Sequence, residues 1–133
     1  MRQTHTVMPK KMRDAMSGDG EYTRCAFVGY EDLVGECGGR VTREHAVMYA
    51  GRKVQERWAI IPCCAKHHGV DRYQDAPGTA PKELRLWVAL NRATDEELEA
   101  LPRANLLRKR ELMNAQIGAY VSPPVPASTE IHY

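Results

Sequence analysis

Several absences narrow this chain before any motif is considered. No apolar run approaches the roughly 18 residues of a membrane-spanning helix, so no membrane association is expected. Basic residues stand near the N-terminus (Arg2, Lys10, Lys11, Arg13) with no apolar stretch after them. That excludes a secretory signal of the usual form and makes a cytoplasmic location the expectation. No internal repeat is visible, which argues against a repeat array. Neither sign of charge dominates: the formal net charge is +2, so bulk charge names no partner. Cysteine is sparse, four residues in 133. In a reducing compartment these are expected to be metal ligands or free thiols rather than disulfides.

What is present fits one small domain. The apolar fraction of 43% and charged fraction of 27% are ordinary for a globular chain. A core of this size often gains from a metal or another staple. Charge is unevenly placed. Residues 19–39 carry Asp19, Glu21, Glu31, Asp32 and Glu36 against Arg24. Residues 40–72 carry Arg40, Arg43, Arg52, Lys53, Arg57, Lys66 and Arg72 against Glu44, Glu56 and Asp71. The basic stretch suits a polyanion, since each neutralised phosphate releases condensed counterions; a solvated mixed face is the alternative.

The pattern predicts four regions: a tail with a short helix over 1–24, a core over 25–75, a helical extension over 76–122 and a tail over 123–133. Pro9–Met16 reads as a short helix with Pro at its first position. Cys25–Cys37 reads as a loop or irregular hairpin, Arg40–Val47 and Trp58–Pro62 as strands, Gly51 as a turn. A helix is predicted from Cys64 to about Tyr73. Helices follow over Pro81–Arg92, after the capping-box sequence Thr94-Asp95-Glu96-Glu97, and over Arg103–Ala119. The leucines of the last two helices could cover the core or form a homo-oligomer face. Trp58 and Trp87 stand in apolar contexts that favour core packing over base stacking.

The segment 43–68 holds the chemistry. Cys64 and His67 are two residues apart at a predicted helix start, so both can reach one ion. Zinc takes four N or S ligands in a closed tetrahedron when its role is structural. Cys25 and Cys37 are the natural other half, and Cys37-Gly38-Gly39 resembles half a zinc knuckle with glycines that let the backbone wrap the metal. Eleven residues separate Cys25 from Cys37, where a knuckle usually has two. Cys63 competes with Cys64; the compact Cys64-x-x-His67 spacing favours Cys64. Buried thiols without metal are the alternative.

Glu44-His45, the apolar strand after it, and Cys64-Ala65-Lys66-His67-His68 together resemble the HNH, or His-Me finger, nucleases, in a zinc-containing variant common in phage and prophage members. The resemblance covers about residues 25–72. It implies an α+β fold with a small ββα-metal, treble-clef-like, zinc-stapled core and flanking helices. It implies a DNA endonuclease with His45 as general base. Glu44 and His68 would hold one catalytic divalent ion (magnesium or manganese, with nickel or zinc as alternatives), and Cys25, Cys37, Cys64 and His67 would hold the structural zinc. The family's middle asparagine would fall at Ala59, so the chain departs from the pattern there, and Gln55 is a candidate to orient His45 instead.

These residue types suit phosphodiester cleavage. A neutral imidazole takes a proton from water near neutral pH, and a divalent cation offsets charge developing on phosphate. Arg43, Arg52, Lys53, Arg57 and Lys66 are expected to hold the nucleic-acid backbone. Adjacent strand residues face opposite ways, so Glu44 and His45 need an irregular strand end to act together. Asp71 is a further possible ligand, more simply a surface acid. The rival reading is a non-catalytic zinc module that binds nucleic acid or protein, and Ala59 supports it.

Overall fold

The antiparallel pairing of two five-residue strands organises the core. The computed structural model describes residues 10, 20–118 and 120–124. Strand β1 (Val41–His45) pairs antiparallel with a strand formed by Ile60–Cys64, with Thr42 opposite Cys63 and Glu44 opposite Ile61. Between them lies a short hairpin, β2 (Met48–Tyr49) and β3 (Arg52–Lys53). Its two turn residues, Ala50 and Gly51, both have positive φ, 53° and 78°, the backbone that a two-residue hairpin turn demands. The Ile60–Cys64 strand, β4, is buried throughout. It begins two residues later than its apolar run suggests, because Arg57–Ala59 forms a 3-10 turn.

A short helix α1 (Glu31–Val34) interrupts the predicted Cys25–Cys37 loop. Helix α2 (Ala65–His68) follows β4 directly. It is far shorter than predicted. Gly69 takes the left-handed conformation, φ 79°, and closes the helix; a separate 3-10 turn holds Asp71–Tyr73. The helical extension is close to expectation: α3 (Lys82–Arg92), α4 (Asp95–Glu99) and α5 (Leu106–Ile117). Thr94 and Glu97 form the complete capping box, with reciprocal bonds of 2.8 and 3.1 Å. The last helix starts three residues late because Pro102–Ala104 is a 3-10 turn and Asn105 is left-handed. The predicted helix over Pro9–Met16, apart from Lys10, and the tail from Val125 onward lie outside the described residues.

The result is a small α+β fold with two short antiparallel sheets. Its core joins β4 to the C-terminal helices: Phe27, Trp58, Ile61, Trp87, Leu90, Leu98, Leu106 and Met113 are all buried. Both tryptophans are therefore packing residues. Tyr22 ties the N-terminal side to this core. Its hydroxyl lies 2.9 Å from the Ile60 carbonyl and 3.0 Å from the Arg57 carbonyl, and accepts from Arg92 at 3.1 Å. Among the described residues no helix is long and apolar enough to cross a membrane.

Candidate metal centre and adjoining histidine site

Four side chains from three segments converge where β4 passes into α2. The ligand atoms of Cys25, Cys37, Cys64 and His67 all lie within 4.8 Å of one another. His67 Nδ1 is 3.2 Å from Cys64 Sγ, 3.7 Å from Cys25 Sγ and 3.9 Å from Cys37 Sγ. A tetrahedral zinc with bonds of about 2.3 Å to sulfur and 2.0 Å to nitrogen would place such atoms about 3.5 Å apart. The distances from His67 to the three sulfurs are close to this, and the cluster is consistent with a structural zinc site.

The surroundings fit the metal as well. His67 Nε2 is 2.9 Å from the Gly35 carbonyl. A carbonyl can only accept, so Nε2 carries the proton and Nδ1 turns its lone pair to the three sulfurs. Backbone N–H groups of Phe27, His67 and Gly38 reach Cys25 or Cys64 sulfur at 3.4 to 3.5 Å. The glycines after Cys37 are required by close approach: a Cβ at Gly38 would meet the Tyr73 hydroxyl at 2.5 Å, and one at Gly39 would meet Ala65 Cβ at 2.8 Å. The long insertion between Cys25 and Cys37 is taken up by α1, so the knuckle-like end survives it.

Cys64, not Cys63, belongs to the cluster. Cys63 is buried outside the cluster, next to Cys64 in the chain, and its thiol interacts with that of Cys25. That interaction, opposed by burial and helped by His67, lowers the Cys25 thiol to about 4. The same contact and burial push the Cys63 thiol up. Burial, and then the neighbouring Cys25 charge, push Cys37 up to about 12. Three crowded thiols cannot all ionise without a compensating cation, which is what zinc supplies when it displaces their protons.

One residue beyond His67, His68 faces the sheet. Thr42 and Glu44 are two apart on β1 and so share a face. Thr42 Oγ1 donates to the Cys63 carbonyl at 2.7 Å and lies 2.6 Å from His68 Nδ1. The hydroxyl has one proton, already given to Cys63, so His68 Nδ1–H donates to Thr42. His68 Nε2 then meets Glu44 Oε1, while Arg85 from α3 ion-pairs with Glu44 Oε2. Burial raises the Glu44 carboxyl, but the His68 and Arg85 contacts outweigh it and hold it below the usual carboxylate range.

His45 closes β1 and points elsewhere: its Nε2 is 3.0 Å from Gln55 Oε1. The contact expected of Gln55 is thus present. It leaves Nδ1 as the nitrogen with an available lone pair when the ring is neutral. Glu44 and His45 nevertheless border one cleft of about 590 Å³, because the strand ends at His45. Ala59 is fully buried, and its carbonyl accepts from Ala46 N–H at 2.9 Å.

Of the five predicted backbone-binding cations, Lys53 lines this cleft. Arg43, Arg52, Arg57 and Lys66 do not. Arg57 lies over the Tyr22 ring at 5.6 Å, and the Lys66 stem packs against Gly78. Asp71 is an exposed acid paired with Arg40 at 2.8 Å, not part of either cluster. Sequence reasoning missed Thr42, Arg85, Lys82 and Lys109. Strand alternation from Glu44 could have found Thr42. Arg85 lies 41 residues from its partner, with no local signal. No family model, curated protein or solved structure matches the chain.

Proposed function

We propose that this chain is a metal-dependent endonuclease of the HNH type that hydrolyses phosphodiester bonds in DNA. The ββα-metal, treble-clef-like description of its core belongs to the same proposal. The observation that carries it is the pairing of two differently prepared histidines on one strand–helix unit. His68 has its Nδ1 tied to Thr42 and its Nε2 turned to a carboxylate. His45 has its Nε2 tied to Gln55 and borders a cleft. A zinc staple alone requires neither arrangement.

In this reading Cys25, Cys37, Cys64 and His67 would hold a structural zinc, and Glu44 and His68 would hold a magnesium or manganese ion. When bound, that ion offsets negative charge on the phosphate and the leaving oxygen. Thr42 fixes the His68 ring so that the lone pair stays at Nε2. Arg85 holds the second Glu44 oxygen, so the ion would take the first in place of its direct contact with His68. Gln55 orients His45, whose Nδ1 takes a proton from water as the water oxygen bonds to phosphorus and one P–O ester bond breaks. The departing oxygen is protonated by solvent.

Ala59 favours a second reading, a non-catalytic zinc module that binds nucleic acid or protein. The two are separated by plasmid nicking with added magnesium or manganese. The endonuclease reading expects metal-stimulated nicking by the wild type and a loss of at least about 100-fold for His45→Ala, within the range general-base catalysis supplies, with zinc content unchanged. Equal nicking by both proteins removes His45 as the base. No nicking by either leaves the zinc module.

A further inference from the structure

The cleft beside His45 has a second wall that lies outside the strand–helix unit. Lys82 opens α3 and Lys109 lies on α5; with Lys53 on β3 they place three lysines from three elements around one cleft. None of the three has an ion pair or a side-chain hydrogen bond among the described residues. The carboxylate in this cleft, Glu44, is already compensated by His68 and Arg85. The wall therefore carries net positive charge with no resident partner.

The rest of the lining is informative by type. Ala46, Val47, Leu86 and Leu106 supply an apolar floor. Among the described residues the lining contains no Trp, Tyr or Phe ring for stacking and no Asn or Gln amide for reading a base edge; its imidazole, His45, is held by Gln55, and its one arginine, Arg85, is held by Glu44. Base recognition uses such groups and also arginine or lysine on guanine, but three lysines on separate elements suit phosphates spaced along a backbone, each of which lysine meets as a point charge. We infer that the C-terminal helices form half of a nucleic-acid track, in which Lys53, Lys82 and Lys109 hold the sugar-phosphate backbone across His45 without reading sequence. The identity of the polyanion rests on the endonuclease reading; the track itself concerns binding and is tested apart from cleavage.

The test is fluorescence anisotropy on the full zinc-loaded chain, without added magnesium or manganese. The probes are labelled 20-nucleotide DNAs of two unrelated sequences, single-stranded and duplex, titrated over a range of salt. The double variant Lys82→Ala/Lys109→Ala is expected to weaken binding about tenfold and to reduce the slope of log K against log salt by about 2. Arg108→Glu is the control. Arg108 neighbours Lys109 on α5 but pairs with Glu111 at 3.6 Å, outside the cleft lining, so its effect is expected to be much smaller. Comparable binding of the two sequences is also expected.

Unchanged binding in the double variant overturns the track. So does an equal loss in Arg108→Glu, which would mean diffuse attraction, and so does strong preference for one sequence. Circular dichroism checks that the double variant folds; if it does not, the charge-retaining Lys82→Arg/Lys109→Arg protein must bind like wild type for the track to stand. Tight binding with no metal-stimulated nicking supports the track and removes the nuclease. Nicking that persists unchanged in the double variant does the reverse.

Discussion

At the scale of single residues, the candidate site depends on which atom holds which proton. His67 and His68 are adjacent yet prepared in opposite senses. His67 gives its Nε2 proton to the Gly35 carbonyl and presents Nδ1 to sulfur; His68 gives its Nδ1 proton to Thr42 and presents Nε2 to Glu44. Thr42 is the hinge of the second arrangement, because one hydroxyl both donates to Cys63 and accepts from His68. Thr42→Val keeps the shape and removes both bonds. It is expected to cost about 1–3 kcal/mol, the cost of a buried group left unsatisfied, as measured by urea denaturation. It should also lower nicking more than zinc content. Thr42→Ser should restore both properties, since it keeps the hydroxyl. A valine variant as stable and as active as wild type would mean that His68 needs no such anchor.

At the scale of elements, the cysteine–histidine cluster brings together a turn, a loop, a strand end and the first turn of α2 within the 25–68 segment. A helix of four residues has little stability of its own, because forming its first turn fixes several residues for one hydrogen bond. Ligation at Cys64 and His67 would hold both ends of that turn and so couple metal binding to folding of this segment. The wild type is expected to bind one zinc per chain, measured by mass spectrometry under native conditions. Cys63→Ala should keep that zinc, because Cys63 lies outside the cluster. Cys64→Ser should lose it along with cooperative thermal unfolding. Zinc loss in both variants, or in neither, would reverse the assignment. This assignment was legible in the sequence because ligand spacing is local: Cys64-x-x-His67 and the glycines after Cys37 act through their neighbours. The capping box at Thr94 was legible for the same reason. The short α2 was not, since the pattern after Cys64 continues helically in composition while Gly69 ends it through backbone conformation. The 3-10 turn before β4 was likewise hidden, because an apolar run does not show where extended backbone begins. Arg85 was out of reach altogether, as its partner Glu44 is remote in the chain and only the packing of α3 joins them.

At the scale of the whole molecule, the cleft exists only if the C-terminal helices keep their place beside β1. A polar network fixes them. Asn114 Oδ1 accepts from Trp87 Nε1 at 2.8 Å and from Asn91 Nδ2 at 2.9 Å, and Asn114 Nδ2 donates to Asn91 Oδ1 at 2.9 Å. Three bonds thus tie α5 to α3 around the fully buried Trp87. Leu106 and Lys109, on the cleft side of α5, depend on this tie although they lie one to two turns away from it. Asn114→Ala removes all three bonds. It leaves the Trp87 indole N–H and the Asn91 side-chain oxygen without their partners, with an expected cost of about 2–6 kcal/mol at about 1–3 kcal/mol for each unsatisfied group. Leu112→Ala on the same helix is the comparison. Leu112 is 48% exposed, and such a change should stay within about 0.5 kcal/mol. Amide hydrogen exchange should locate the difference. In Asn114→Ala, α5 is expected to exchange faster while β1 and β4 keep their protection, because the strand pairing and the metal cluster are built without α5. Equal stability of the two variants would show that apolar packing of Leu106 and Met113 alone holds the helix. Faster exchange spread evenly over the sheet and the helices would show that the C-terminal wall and the metal-stapled unit unfold as one.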